Sequence, residues 1–316
     1  MKLIFMGTPE MAVPTLDRIV ADGHEIVAVI TQPDKPAGRG NKLHQPPIKE
    51  SAARLHLPVY QPTKIRTEEF REFFAKLNAD AAVVVAYGRI LPKPILEIPR
   101  LGCVNNHFSL LPKYRGAAPV NWAIANGEND TGVTTMLIDE GLDTGDILLQ
   151  RITNIDPSET TIDLSARLAA IGADLMSETL RALERGEITP KKQDHDKASH
   201  APILKREDGI IDWSWNAERI ANRVRGFQPF PTAWTTLHGT RLIIWRATSE
   251  DNGDQSKTPG SAEYDKSKNA LVVAAGQGTS LLVHELQLEG KKRLSVRDFL
   301  NGVKLEPGDR LGSNQT

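Results

Sequence analysis

The chain of 316 residues has a single cysteine, Cys103. One thiol cannot close an intramolecular disulfide or complete a Cys-based zinc site, so the fold must stand on its own core, and a reducing compartment, the cytosol, is expected. Apolar runs are short. None nears the roughly 18 residues of a membrane span, and Met1-Lys2-Leu3-Ile4-Phe5-Met6-Gly7 breaks at a glycine, so no signal peptide, anchor or membrane partner is expected. Neither charge sign is in excess: 39 basic residues face 40 acidic ones. A polyanion would have to be met by a local patch and not by bulk attraction. The fingerprint G-x-G-x-x-G is missing after the first apolar run, where Gly7-Thr8-Pro9-Glu10-Met11-Ala12 puts a glutamate near the place of a pyrophosphate. That counts against a dehydrogenase. A P-loop, a nucleophile elbow and H-E-x-x-H are absent as well, as are repeats and low-complexity tracts.

What is present has the length for two domains with substantial cores. Leu3 to Met6, Ile26 to Ile30, Ala81 to Ala86 and Cys103 to Asn106 are continuous apolar runs, as strands buried on both faces of a parallel sheet should be. Helix-length segments follow Pro9 and lie around Ile48 to Leu55 and from Glu68 to Leu77. This β-α-β-α order predicts a Rossmann-like, doubly wound, mostly parallel α/β sheet. Thr160-x-x-Asp163 reads as a capping box for a helix with Leu164, Leu168, Ile171 and Leu175 on one face, ending near Gly186. Residues 190–202 are polar and without period, and a linker over 190–206 is expected between domains at 1–189 and 207–316. Beyond it come a short helix near Asn216 to Arg225 and strands at Leu237 to Trp245, Ala270 to Ala275 and Ser280 to Leu288, the pattern of a small β-barrel. Trp213, Trp215, Trp234 and Trp245 lie in this half and are read as packing residues and not as a base-stacking platform.

Open α/β sheets bind ligands beyond the carboxyl ends of their strands. The fourth strand leaves through Asn105-Asn106-His107-Phe108-Ser109. Residues two apart share a strand face, so Asn105 and His107 stand side by side at its exit. An amide donor can stabilise an oxyanion, and an imidazole can move a proton or polarise a carbonyl, which are the needs of acyl transfer; a turn with a satisfied histidine fits the same residues. A strand at Gly132 to Asp139 leads into Glu140-Gly141-Leu142-Asp143-Thr144-Gly145-Asp146. An acid there could orient His107 or take its proton, or Asp143 could simply cap a surface turn. Cys103 shares the face of Asn105, but deep in a buried strand with no cation to activate it.

The text from Asn105 through Ser109-Leu110-Leu111-Pro112-Lys113-Tyr114-Arg115-Gly116 to Pro119, followed by Gly141-Leu142-Asp143-Thr144-Gly145-Asp146, resembles the folate-dependent formyltransferases, whose motif is N-x-H-x-S-L-L-P with a downstream aspartate. The resemblance implies a catalytic trio of Asn105, His107 and Asp143, a folate-binding segment at Ser109, Leu110, Leu111 and Pro112, and a pterin-reading loop at Ala86, Tyr87, Gly88, Ile90 and Leu91. The implied donor is 10-formyltetrahydrofolate, with no metal.

Members of that family differ in the amine they formylate. Here Thr31 to Lys49 is too long for an ordinary β-α loop and carries Lys35, Arg39, Lys42 and Lys49. A solvated loop would look the same, but Thr31-Gln32-Pro33-Asp34-Lys35-Pro36-Ala37-Gly38-Arg39-Gly40 is similar to the insertion of members that formylate initiator Met-tRNA. In those the arginine matching Arg39 contacts the acceptor arm. The resemblance runs on through Ile211-Asp212-Trp213-Ser214 and Phe227-Gln228-Pro229-Phe230-Pro231 to Pro307-Gly308-Asp309-Arg310-Leu311, and implies a C-terminal oligonucleotide-binding-type barrel near Lys291-Lys292-Arg293. The expectation is formyl transfer to the methionyl amine of initiator Met-tRNA, in the cytoplasm and by a monomer. An amino-sugar nucleotide as acceptor, or hydrolysis of the formyl-folate, are the rivals.

Overall fold

The computed structural model describes residues 1–37, 42–251, 253–306 and 308–312. They form two compact units, one of Met1–Pro119, Asp130–Asn154 and Ser165–Ala201, the other of Val120–Asn129, Ile155–Leu164 and Pro202–Thr316. The chain opens with β1 (Lys2–Gly7), α1 (Val13–Ala21), β2 (Glu25–Ile30), the hairpin β3 (Lys35–Ala37) and β4 (Lys42–His44), α2 (Pro47–Arg54) and β5 (Val59–Tyr60). It continues with α3 (Glu68–Lys76), β6 (Ala81–Val85), α4 (Lys93–Leu96), β7 (Cys103–His107), β8 (Arg115–Gly116), α5 (Pro119–Ala125), β9 (Asp130–Leu137), β10 (Ile147–Asn154), α6 (Thr161–Arg185) and β11 (His200–Ala201).

Seven of these strands form one sheet in the order β10-β9-β7-β6-β1-β2-β5. Five run parallel, while β9 and β10 close one edge antiparallel. The continuous apolar runs supply the parallel part: Leu3, Ile4, Phe5 and Met6 are fully buried, and all five residues of β6 lie in the core. Between the strands, local chemistry starts the helices. Thr67 accepts the Phe70 N–H at the head of α3, whose Phe70 and Phe74 are buried. Thr160 and Asp163 form the expected reciprocal cap, with Asp163 accepting from the Thr160 N–H at 3.0 Å and Thr160 Oγ1 from the Asp163 N–H at 3.4 Å. Gly7 serves packing and not phosphate, since a Cβ there would lie 2.8 Å from the Phe5 ring and 3.1 Å from the Val85 carbonyl.

The second unit adds α7 (Ala217–Gly226), β12 (Ala233–Leu237), β13 (Thr240–Asp251), β14 (Ala262–Asp265), β15 (Ala270–Ala274), β16 (Thr279–Leu288), β17 (Leu294–Ser295) and α8 (Val296–Leu300). Its sheet is antiparallel in the order β12-β13-β16-β15-β14, with β17 on β16. The single strand expected from Leu237 to Trp245 is two strands turning at His238-Gly239, both in left-handed backbone. Ile220, Val224, Leu242, Ile244, Val283 and Leu286 fill the core. Trp213 belongs to it and Trp215 packs against it: Trp213 is buried and donates to Thr235 Oγ1 at 3.1 Å. Arginines of this chain lie over the rings of Trp215, Trp234 and Trp245.

At the antiparallel edge Gly132 is pressed against β10, where an added Cβ would stand 2.2 Å from the Arg151 carbonyl oxygen. Gly132→Ala is expected to lower stability by about 2 kcal/mol, the scale of forcing backbone apart in a packed region. Denaturant unfolding of both proteins checks this.

Candidate active site

The strand β7 delivers the chemistry by alternation. Asn106 points into the protein, 2% exposed, with its amide 3.4 Å from Thr15 Oγ1, while Asn105 and His107 share the opposite face. Asn105 is half-buried and its amide has no hydrogen-bond partner among the described residues. His107 is 6% exposed, with Nε2 at 2.9 Å from the Tyr114 carbonyl oxygen. A carbonyl only accepts, so Nε2 carries the hydrogen and Nδ1 is left toward Asp143, whose Oδ2 lies 3.7 Å away. The structure thus brings Asn105, His107 and Asp143 to one place, and Asp143 turns in through a left-handed φ of 54°.

The aspartate's loop is tied down from several sides. Asp143 Oδ2 accepts the Gly116 N–H at 2.8 Å, and Asp139 Oδ1 accepts from Gly141 N at 3.0 Å and Thr144 Oγ1 at 2.7 Å. Two residues that the sequence reading passed over also belong here. Gln193 Nε2 donates to the carbonyls of Asp143 and Gly145 at 2.9 and 2.8 Å, and Arg115 donates to Gln193 Oε1 from Nε and a terminal nitrogen at 3.0 and 2.7 Å. Gln193 sits in the stretch without period, where a lone amide carries no signal of its partners.

Ser109-Leu110-Leu111-Pro112 leaves the same strand and is held by Thr134. Its hydroxyl donates to the Ser109 carbonyl at 2.7 Å and accepts from the Leu111 N–H at 3.1 Å, while Gln150 donates to the Leu111 carbonyl at 2.9 Å. The segment's Leu111–Pro112 peptide is cis. The other loop begins where β6 stops, one residue before the strand end expected at Ala86, because Ala86 takes a φ of 47°. Tyr87 and Leu91 are buried, Ile90 is exposed, and the Tyr87 carbonyl accepts from Thr8 Oγ1 and Gln32 Nε2, both at 3.1 Å. With those side chains turned inward, Ala86 and Gly88 stay exposed.

In the long loop Lys35 is exposed on β3, and Lys49 is paired with Asp34 at 2.7 Å. Hydrogen bonds from Gln61 and then Lys49 hold Asp34 below the usual carboxylate range. Arg39 lies outside the described residues, and of Lys42 only the backbone, in β4, is described. At the C-terminal basic triplet Arg293 is paired with Glu285 at 2.6 Å. No group of three or more His, Cys, Asp or Glu among the described residues is placed to hold a metal ion, and no described helix is long and apolar enough to cross a membrane.

Residues 1–180 match the family model described as formyl transferase, and residues 203–304 match its C-terminal domain. The chain belongs to the formyl transferase family. Proteins named methionyl-tRNA formyltransferase from Citrifermentans bemidjiense and Acidobacterium capsulatum are 50% and 52% identical to it, each over 99% of this chain and over 96% and 100% of their own lengths. Among solved structures, the fold is shared by the N-formyltransferase of Helicobacter canadensis, solved with folinic acid and dTDP-3-aminofucose. There the TM-score is 0.68 at 21% identity, over 90% of this chain and 98% of the other. HypX of Aquifex aeolicus with tetrahydrofolic acid gives a TM-score of 0.63 at 16% identity, covering 97% of this chain and 48% of that one.

A nucleophilic role for Cys103 fails on burial. The thiol is 1% exposed and burial pushes it up to about 12. A thiol raised in the folded state favours its neutral form, so its contribution to stability is whole below the unfolded value of about 8.5 and is lost as pH climbs toward 12. Stability of the wild type is therefore expected to fall more steeply between pH 9 and 11 than that of Cys103→Ala. Alkylation of the folded protein by iodoacetamide at pH 8 should run at least about a thousandfold slower than that of a free thiol.

Proposed function

We propose that this chain transfers the formyl group of 10-formyltetrahydrofolate to the amino group of methionine on initiator Met-tRNA. The observation that carries the chemistry is an unpartnered amide, Asn105, beside His107, whose free ring nitrogen faces the Asp143 carboxylate at 3.7 Å. The acceptor is supported by relatives at half identity along nearly the full chain, named for formylating methionyl-tRNA.

The amine attacks the formyl carbon, a C–N bond forms, and the carbonyl electrons move onto oxygen. Asn105 Nδ2, free of other partners among the described residues, stabilises that oxyanion, and His107 joins it once its Nδ1 carries a proton. The proton lost by the attacking nitrogen goes to the His107–Asp143 pair, directly or through a water. Collapse breaks the bond between the formyl carbon and the folate nitrogen, which leaves with the proton that the pair took up. Ser109 to Pro112 hold the folate. The loop of Ala86, Tyr87 and Gly88, flanked by Ile90 and Leu91, reads the pterin, a task for the main chain at exposed Ala86 and Gly88 because Tyr87 and Leu91 are buried.

Arg39, with Lys35 and Lys42, grips the acceptor end of the tRNA. At near-neutral overall charge this binding is patch-driven and salt-sensitive. Residues 1–189 carry catalysis and 207–316 contact tRNA, the antiparallel sheet standing for the family's oligonucleotide-binding-type barrel. The enzyme works as a monomer in the cytoplasm, where translation starts.

The deciding experiment offers charged initiator Met-tRNA, an amino-sugar nucleotide and no acceptor in parallel, with 10-formyltetrahydrofolate as donor. Formylation of the tRNA is expected, reduced at least about a hundredfold in turnover by Asn105→Ala and by His107→Ala with folding intact, the scale of losing an oxyanion donor. Arg39→Ala is expected to weaken tRNA use. Turnover on the sugar or on water, with silence on tRNA, removes the acceptor; near-normal turnover in both alanine variants removes the mechanism.

A further inference from the structure

Arg115, Gly116, Asp143, Gly145 and Gln193 all lie in the first unit. Gln193 is 6% exposed and Arg115 5%, and among the described residues the guanidinium has a glutamine oxygen and His195 Nδ1, at 3.1 Å, as its partners in place of a carboxylate. Arginine only donates, so the two bonds from Arg115 fix which end of the Gln193 amide is oxygen. The Nε2 end is thereby aimed at the carbonyls of Asp143 and Gly145, two positions apart on either side of Thr144. This matters because Asp143 sits in left-handed backbone, a conformation that is unfavourable for a non-glycine residue and persists only where its surroundings hold it. The residue after Arg115 completes the hold, since Gly116 N–H binds the carboxylate itself.

The stretch carrying Gln193 is anchored at both ends. Lys191 exchanges backbone hydrogen bonds with Ile147 at 2.8 and 2.9 Å, and His200–Ala201 pairs with Arg115–Gly116. We infer that Gln193, oriented by Arg115, is a positioning residue for Asp143, and that the segment from Lys191 to Ala201 is a strap of the active site as much as a connection between domains. The inference rests on the reading that Asp143 serves formyl transfer.

Gln193→Glu tests it, because the new carboxylate still accepts from Arg115 but can no longer donate to the two carbonyls. Turnover with Met-tRNA is expected to fall about ten- to hundredfold, the scale of misplacing a catalytic group by about an ångström, with KM for donor and acceptor within about threefold. In an Asp143→Ala background the same substitution is expected to cost less than about twofold, since it acts through the missing side chain. Equal losses in both backgrounds would mean a general structural role and overturn the inference. Gln193→Met, of similar length and with no amide, serves if the glutamate does not fold, with the same expectation.

Hydrogen exchange separates this from the function itself. The Gly116 amide is expected to exchange at least about tenfold faster in Gln193→Glu, whether or not any acceptor is formylated. Unchanged protection there overturns the inference; a wild type that formylates no acceptor overturns the function while the exchange result still decides the positioning.

Discussion

The double pairing of Cys103–His107, parallel to Ala81–Val85 on one side and antiparallel to Asp130–Leu137 on the other, decides which way Asn105, Asn106 and His107 can point. Side chains alternate along a strand, and a slip of one residue would exchange the faces. In the observed register Asn106 is the residue that is sealed in, and Asn105 and His107 emerge on the side where Asp143 arrives. The antiparallel neighbour then contributes Thr134, directly opposite His107, and its hydroxyl organises the outgoing Ser109–Leu111 turn. One strand thus aligns the face of Asn105 and His107 with the start of the Ser109-Leu110-Leu111-Pro112 segment.

A strand can aim Asn105 and His107 but cannot bring a carboxylate from elsewhere. That comes from the Asp139–Asp146 turn, which is irregular backbone and must be held by hydrogen bonds. Those bonds come from the turn's own Asp139, from the Gly116 N–H and from Gln193. A backbone N–H and an uncharged amide hold Asp143 and Gly145 from outside, with the cation of Arg115 one step further out and that of Lys93 on Glu140. Such an arrangement fixes position without placing a competing charge next to His107.

The parallel strands were legible because burial on both faces leaves nearly unbroken apolar text, as in Leu3 to Met6 and Ala81 to Val85. The helix at Thr161–Arg185 was legible from its cap and its 3.6 period. The shared strand face of Asn105 and His107 was legible from strand alternation and the rule for sheet ends, and the approach of Asp143 only with the help of the longer motif. Short elements such as Val59–Tyr60 and Leu294–Ser295 were not, since two residues carry no period. The turn at His238-Gly239 was hidden by apolar residues on both sides of it. Gln193 was invisible for a different reason: its role depends on Arg115, 78 positions away, and a polar aperiodic stretch reads the same whether it straps a site or spans solvent.

The division of the chain is discontinuous: Val120–Asn129 and Ile155–Leu164 pack with Pro202–Thr316. Trp122 meets Phe227 edge-on at 5.4 Å, and Asn121 donates to the Gly226 carbonyl at 2.8 Å. During synthesis Trp122 leaves the ribosome 105 residues before Phe227, which at about 5–20 residues per second leaves it without that partner for roughly 5–20 s. The first unit can build its sheet in that interval, but it does so with two of its own connections still waiting for a core that has not been made.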